Sequence, residues 1–399
     1  MKPKHILIIM TDQCRADALG AYGNTYAQTP AIDAIADGAA IFNRAVTPSP
    51  VCVPARLSLL AGQYVNRTGN SNNNPKTCYT GEGFYSMLTK AGFESCCVGK
   101  MHHVWDRYGL MGFGERHTQE EMAQPDDDYT KFIKNSPYKN VFDYNGQRSD
   151  MYYVPQISQL PAEAHPTQWI GDRSVEFIEK CDPEKPMFLM SSFIHPHPPF
   201  CPPAPWNKLF REIPEAPFVP EETPELKYLL PPAFDLDTRL QMSDTDIRRA
   251  KNFYYACVSF MDYQIGRITD ALKAKGMYDD TVILFISDHG ETLGDYRHVG
   301  KRTMLSCANR IPFILRVPGM EGGERVEYLK TLLDAHIAAD RCPEAKNPNK
   351  GAGKAEKKEK IYDFAGDRMD HKTRRDEEAA RIPAPYKIDL RRFVGDDFS

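Results

Sequence analysis

Four short apolar runs, each ending abruptly in polar residues, constrain this chain more than anything else in it. Ile6–Met10 runs into Thr11-Asp12-Gln13, and Glu94–Val98 runs into Gly99-Lys100-Met101-His102. Met187–Ile194 ends in His195-Pro196-His197, and Thr281–Ile286 ends in Ser287-Asp288-His289-Gly290. Continuous apolar, β-branched runs of this length suit strands buried on both faces, as in a parallel sheet. In open α/β sheets ligands bind beyond the carboxyl ends of the strands. Four strands of one sheet would therefore carry Asp, Gln, Lys and His side chains to a single edge.

Helical patterns lie between these runs. The clearest spans Asp246 to Lys275, where Ile247, Ala250, Tyr254, Val258, Met261, Ile265, Ile268 and Leu272 form one apolar stripe. Ser243 with Asp246 resembles a capping box, and Gly276 a C-terminal stop. Residues 115–165 and the proline-dense 195–235 show little periodicity and read as long loops over the sheet edge. From Arg341 to Ala380 charge dominates, which suits either a connector or an exposed helix.

With 399 residues the chain is long enough for one large α/β domain with an appendage. Its formal net charge of -4 argues against nucleic acid as a partner, because phosphate-backbone binding needs a basic surface. A local positive site for a small anion is still compatible with it. Ten cysteines include the adjacent Cys96 and Cys97, with no Cys-x-x-Cys, and a domain this size needs no disulfide scaffold. Free thiols and a reducing compartment are the expectation. No stretch approaches a membrane span, so no membrane partner is expected. The apolar part of the N-terminus is too short for a signal peptide. A cytoplasmic protein is the simplest reading, or a periplasmic or secreted one whose leader has been removed. Oligomeric state is not legible, and a homo-oligomer stays open.

The segment Cys52-Val53-Pro54-Ala55-Arg56, with Gly62 further on, carries the chemistry. Pro54 suits the first turn of a helix and Gly62 its end, placing Cys52 at a helix N-terminus that favours an anion. Arg56, one turn on, can aim a fork of donors at the same point. Taken alone, Cys52 reads equally well as a buried structural cysteine.

Cys-x-Pro-x-Arg followed by Gly resembles the signature of the sulfatase family. Asp12-Gln13 and Asp288-His289 resemble the two metal-binding pairs of its choline-sulfatase-like and phosphonate-hydrolase-like branches. The resemblance implies that Cys52 is oxidised to formylglycine by a sulfatase-maturing enzyme. One hydroxyl of the hydrated aldehyde then attacks sulfur and the other expels sulfate. It implies one divalent metal held by Asp12, Gln13, Asp288, His289 and the residue-52 oxygen. Ca²⁺ is favoured by the oxygen-rich set, whereas a coordinated His289 would pull toward Mn²⁺ or Zn²⁺. Gly99-Lys100-Met101-His102 resembles the family's Gly-Lys-x-His element, giving Lys100 a sulfate oxygen and His102 the diol. His197, less directly His195, would face the sulfate, and Lys301 or His197 would serve the leaving oxygen. The plainer alternatives are a solvated Lys301 and a His195 bonded to the backbone.

The resemblance covers roughly residues 5–320. Beyond Pro318-Gly319 the usual Asp-hydrophobic-x-Pro-Thr segment is missing, and Tyr328–Asp334 lacks its proline. The expected organisation is a catalytic domain over residues 1–325, with an alkaline-phosphatase-like, mostly parallel sheet between helices. A divergent C-terminal region would occupy residues 326–399. The expected substrate is a small sulfate ester, of a carbohydrate or other alcohol. Two rivals remain. One is a phosphonate monoester or phosphodiester hydrolase with the same nucleophile, and the other is a silent binding protein with Cys52 unconverted.

Overall fold

The computed structural model describes residues 3–326, except 75–78, 80, 104–105, 123, 211–228, 233–234, 236–239, 321 and 323–324. Eight strands form one sheet: β1 (His5–Asp12), β2 (Ala40–Phe42), β3 (Glu94–Gly99), β4 (Glu115–Thr118), β5 (Met187–Pro196), β6 (Thr281–Ser287), β7 (Phe313–Arg316) and β8 (Arg325–Val326). Their order is β4-β3-β5-β1-β6-β7-β2-β8. The four apolar runs are the contiguous centre, β3-β5-β1-β6, and all of their pairings are parallel. Only β7 runs against its neighbours β6 and β2. The mixed, mostly parallel sheet expected from the sequence is present.

The registers explain how distant motifs meet. Thr11 pairs with Ser287, and Gly99 pairs with Ser192, so the residues just past each pair leave the sheet at one level. The central strands are buried on both faces, β5 along its full length. Helix Pro166–Lys180 and the 31-residue helix Asp244–Ala274 pack on one another and on β5. The longer helix begins at the capping box, with the Ser243 and Asp246 side chains each bonded to the other's backbone N–H. Gly276 sits just beyond its end at φ +67°, a conformation that favours glycine.

One loop expectation changes. Residues 115–165 contain the edge strand β4 and a helix, Asp128–Lys134, whose N-terminus is capped by Asp127. Their periodicity is hidden because one strand is four residues long and the helix seven, too short to display a stripe. Within 195–235 only part is described, and the C-terminal region beyond Val326 lies outside the described residues. All eight described cysteines are free thiols. No described helix is long and apolar enough to cross a membrane.

Candidate active site

Cys52 is the first residue of helix Cys52–Ala61, which ends at Gly62 in the left-handed conformation. Asn73, from the Asn-rich loop, accepts the Val53 N–H at 3.0 Å and so completes the helix start. The Cys52 thiol is fully buried and faces three cationic or potentially cationic groups. Lys301 Nζ donates to its Sγ at 2.9 Å, and His289 Nε2 lies 3.3 Å away. Burial and the Asp12 charge would raise this thiol, but Lys100, Lys301 and His289 together hold it well below its ordinary value.

Asp12, Cys52, Asp288 and His289 bring their ligand atoms within 4.8 Å of one another, all buried. His289 Nδ1 faces the Gly290 carbonyl at 3.1 Å. A carbonyl only accepts, so Nδ1 carries a hydrogen, and in the neutral ring the Nε2 lone pair faces the cluster, the arrangement metal-ligating histidines adopt. Gln13 is held at φ +65°, an uncommon conformation for a side-chain-bearing residue. Its backbone N–H donates to Asp288 Oδ1 at 3.0 Å, and its carbonyl accepts from Tyr254. The Gln13 side-chain Nε2 donates to Glu291, leaving Oε1 buried with no hydrogen-bond partner. A buried, unpartnered amide oxygen on Gln13, two carboxylates and an imidazole nitrogen make up a donor set whose chemistry fits a divalent cation.

Arg56 stands elsewhere than its spacing alone implied. It is turned inward, 2% exposed. Nε donates to Asp288 at 2.8 Å, Nη2 to Asp12 at 3.3 Å, and Nη1 to the Lys100 carbonyl and Ser192 Oγ at 2.8 and 3.0 Å. It braces the two carboxylates rather than reaching for an outside anion. Burial would push Asp12 up, yet Lys100, His197, Lys301 and Arg56 hold it well below the usual carboxylate range.

Lys100 bridges Asp12 and Glu121, the latter at 2.9 Å. Glu121 in turn takes Arg148 Nη1 at 2.8 Å and lies 3.5 Å from His197 Nε2. His197 Nδ1 is committed to the Pro198 carbonyl at 2.6 Å, so Nε2 points toward Glu121, Tyr152 and Cys52. His195 does not join them. Its Nδ1 meets Thr167 at 2.8 Å and its Nε2 meets Cys201 at 3.7 Å, while burial and His197 push it down to about 4. The His102 backbone N–H is held by Glu120, and its ring makes no hydrogen bond to Cys52.

The motifs thus bring Asp12, Gln13, Cys52, Arg56, Lys100, His197, Asp288, His289 and Lys301 together. Glu121, Arg148, Tyr152 and Glu291 were not anticipated. Glu291 directly follows the Asp288-His289-Gly290 motif, which was the one available signal. Glu121, Arg148 and Tyr152 lie in the 115–165 stretch, where nothing local marks them.

An eight-stranded, mostly parallel sheet with a buried cysteine at a helix start and an aspartate at the end of each of two strands shares its fold with solved phosphonate monoester hydrolase and sulfatase structures. Residues 4–335 match the Sulfatase family model, and the chain belongs to the sulfatase family, the sulfuric ester hydrolases. It is 31% identical over 374 residues to an arylsulfatase of Clostridium perfringens, covering 85% of this chain and 76% of that one. It is 29% identical over 339 residues to a choline-sulfatase of Rhizobium meliloti, covering 80% of this chain but 64% of the relative. Among solved structures, a phosphonate monoester hydrolase of Agrobacterium radiobacter matches in fold with a TM-score of 0.70 at 23% identity, covering 83% of this chain and 72% of the other. That of Silicibacter pomeroyi matches with a TM-score of 0.68 at 25% identity, covering 83% and 71%.

Proposed function

We propose that this chain hydrolyses a small sulfate ester at Cys52, after a sulfatase-maturing enzyme has oxidised that residue to formylglycine. The observation that carries the proposal is the fully buried Cys52 side chain, contacted by Lys301 and His289 at a helix N-terminus. When present, the formylglycine hydrate supplies an attacking hydroxyl and a second one whose collapse releases sulfate. A divalent cation held by Asp12, Gln13, Asp288 and His289, best Ca²⁺ for its oxygen-rich set, supplies Lewis acidity.

The protein's own groups do the rest. Lys100 and Lys301 place positive charge where the tetrahedral anion gathers negative charge. His197, with Nδ1 tied to Pro198, presents Nε2 beside Tyr152 and Glu121, and in its protonated form it passes a proton from there to the leaving alcohol. Arg56 holds Asp12 and Asp288 in register. His289 keeps its lone pair inward through the Gly290 carbonyl.

The test is direct. Intact mass of the matured chain should fall by about 18 Da as a thiol becomes an aldehyde, a product outside the ordinary cysteine oxidation ladder. Cys52→Ala should abolish hydrolysis, and full activity in that variant would overturn the mechanism. A second reading, phosphonate monoester hydrolysis at the same site, is favoured by the likeness to the Silicibacter pomeroyi phosphonate monoester hydrolase. Parallel assays on an aryl sulfate and an aryl phosphonate monoester separate the two.

A further inference from the structure

We propose that Glu291 is a positioning residue that sets which atom of Gln13 faces the metal and ties that ligand to Lys301. The inference rests on the metal reading above and names a residue outside the expected ligand set.

Glu291 is fully buried. Its Oε2 accepts from Gln13 Nε2, and its Oε1 accepts from the Leu293 N–H at 3.0 Å and from the Gly300 N–H. Thr292 Oγ1 adds a longer contact at 3.4 Å. Every partner is a donor, so the site calls for a group that only accepts, and an ionised carboxylate does.

The consequence for Gln13 follows from amide geometry. A glutamine amide has two nearly isosteric orientations, one presenting oxygen and the other NH₂. Only the first can ligate a cation. With Nε2 captured by Glu291, Oε1 must point the other way, and it is the buried oxygen that lacks a hydrogen-bond partner. An Asp at position 13 would need no such device, since either of its oxygens can ligate. The neutral ligand and the buried acid are complementary parts of one arrangement, 278 residues apart.

The other oxygen holds the backbone of the residue before Lys301. Gly300, at φ +100°, immediately precedes Lys301, whose Nζ contacts Cys52 Sγ at 2.9 Å. The Gly300 carbonyl also accepts from the Thr292 N–H at 2.7 Å, closing a short loop around Glu291. One carboxylate therefore aligns Gln13 on one side and the base of Lys301 on the other.

The experiment measures Ca²⁺ binding by calorimetry on the full chain with Cys52 unconverted, so no turnover is involved. Glu291→Gln keeps the shape but can offer oxygen to only one side, so an NH₂ group must face a donor on the other. It should weaken Ca²⁺ binding about 10- to 100-fold, the usual range for a group that orients a metal ligand. The double variant Gln13→Glu with Glu291→Gln should restore binding to within about threefold of wild type, because the new amide donates to the new carboxylate while its oxygen still serves Gly300 and Leu293. A purely structural role for Glu291 would not be rescued this way. If the single variant does not fold, the double variant alone decides, and it must bind Ca²⁺ as the wild type does. Wild-type binding by Glu291→Gln, or a double variant with binding no better than a disabled single one, overturns the inference. A wild-type chain that binds no Ca²⁺ overturns the metal reading and this inference with it.

Discussion

Replacing Arg56 by Met separates the brace from the reaction. Met retains the apolar stem and much of the volume, so the cavity cost is small. What is lost is the guanidinium between Asp288 at 2.8 Å and Asp12 at 3.3 Å, with all three groups at most 2% exposed. Breaking a buried ion pair by removing one partner costs about 3–5 kcal/mol, because a charge remains buried and uncompensated. Asp12 keeps Lys100 as a partner, which places the expected loss within that range rather than at twice it. The two neutral acceptors add little, since Ser192 Oγ already donates to the Lys100 carbonyl at 2.5 Å. Losing the Arg56 bonds to them contributes about 1 kcal/mol more. The total of about 4–6 kcal/mol is a large share of the 5–15 kcal/mol typical of a folded domain. The assay is urea denaturation of the unconverted chain, once in chelator and once in saturating Ca²⁺. A cation held by Asp12 and Asp288 would supply the missing charge, so the loss should shrink clearly in Ca²⁺. A loss below about 1 kcal/mol in chelator, the size of an exposed pair, would refute the brace. An equal loss under both conditions would refute the shared neutralisation of the two carboxylates.

Three further outcomes follow from particular contacts. Glu121→Gln removes a carboxylate that competes with an anion for Lys100 and Arg148, so inorganic sulfate should bind roughly tenfold tighter, about 1.4 kcal/mol, by calorimetry; weaker binding would show that Glu121 positions these cations instead. Gly99→Ala puts a Cβ 2.1 Å from the Ser192 carbonyl oxygen at a φ of +100°, and should cost about 2–4 kcal/mol in a melting experiment, with an unchanged midpoint counting against the tight β3–β5 crossing. Burial pushes the Asp262 carboxyl up to about 7, against the Ile32 and Ala31 N–H groups it accepts. Because the folded chain then binds that proton more readily than the unfolded one, its contribution is full below about pH 4 and is lost as pH rises through 7. Asp262→Asn should flatten this fall in melting temperature between pH 4 and 8, and a constant offset between the two proteins would contradict it.

Much of the site was legible because its signals are local. Each strand is a run of neighbouring apolar residues, and the groups that matter sit within two or three positions of its end. The cap of the long helix and the stop at Gly62 depend on residues a turn apart. The expected cluster of Asp12, Cys52, Lys100, His197, Asp288, His289 and Lys301 follows from those strands lying side by side. Side-chain direction did not follow. Arg56 faces inward because two buried carboxylates draw it, and His195 turns to Thr167 because its position on β5 carries it away from Cys52.

The amino-acid sequence by itself determined the central parallel strands, the helix that begins at Cys52 and the inventory of carboxylate, imidazole and cationic side chains. Those depend on periodicity and capping, which act over a few residues. Only the tertiary structure decided that Glu121 would sit among Lys100, Arg148 and His197, and that Glu291 would hold the amide of Gln13. Such pairings join residues tens to hundreds of positions apart, and no local pattern encodes the distance at which a loop returns to a sheet edge. Buried charge selects them, because each acid left in the interior must find donors or cations there.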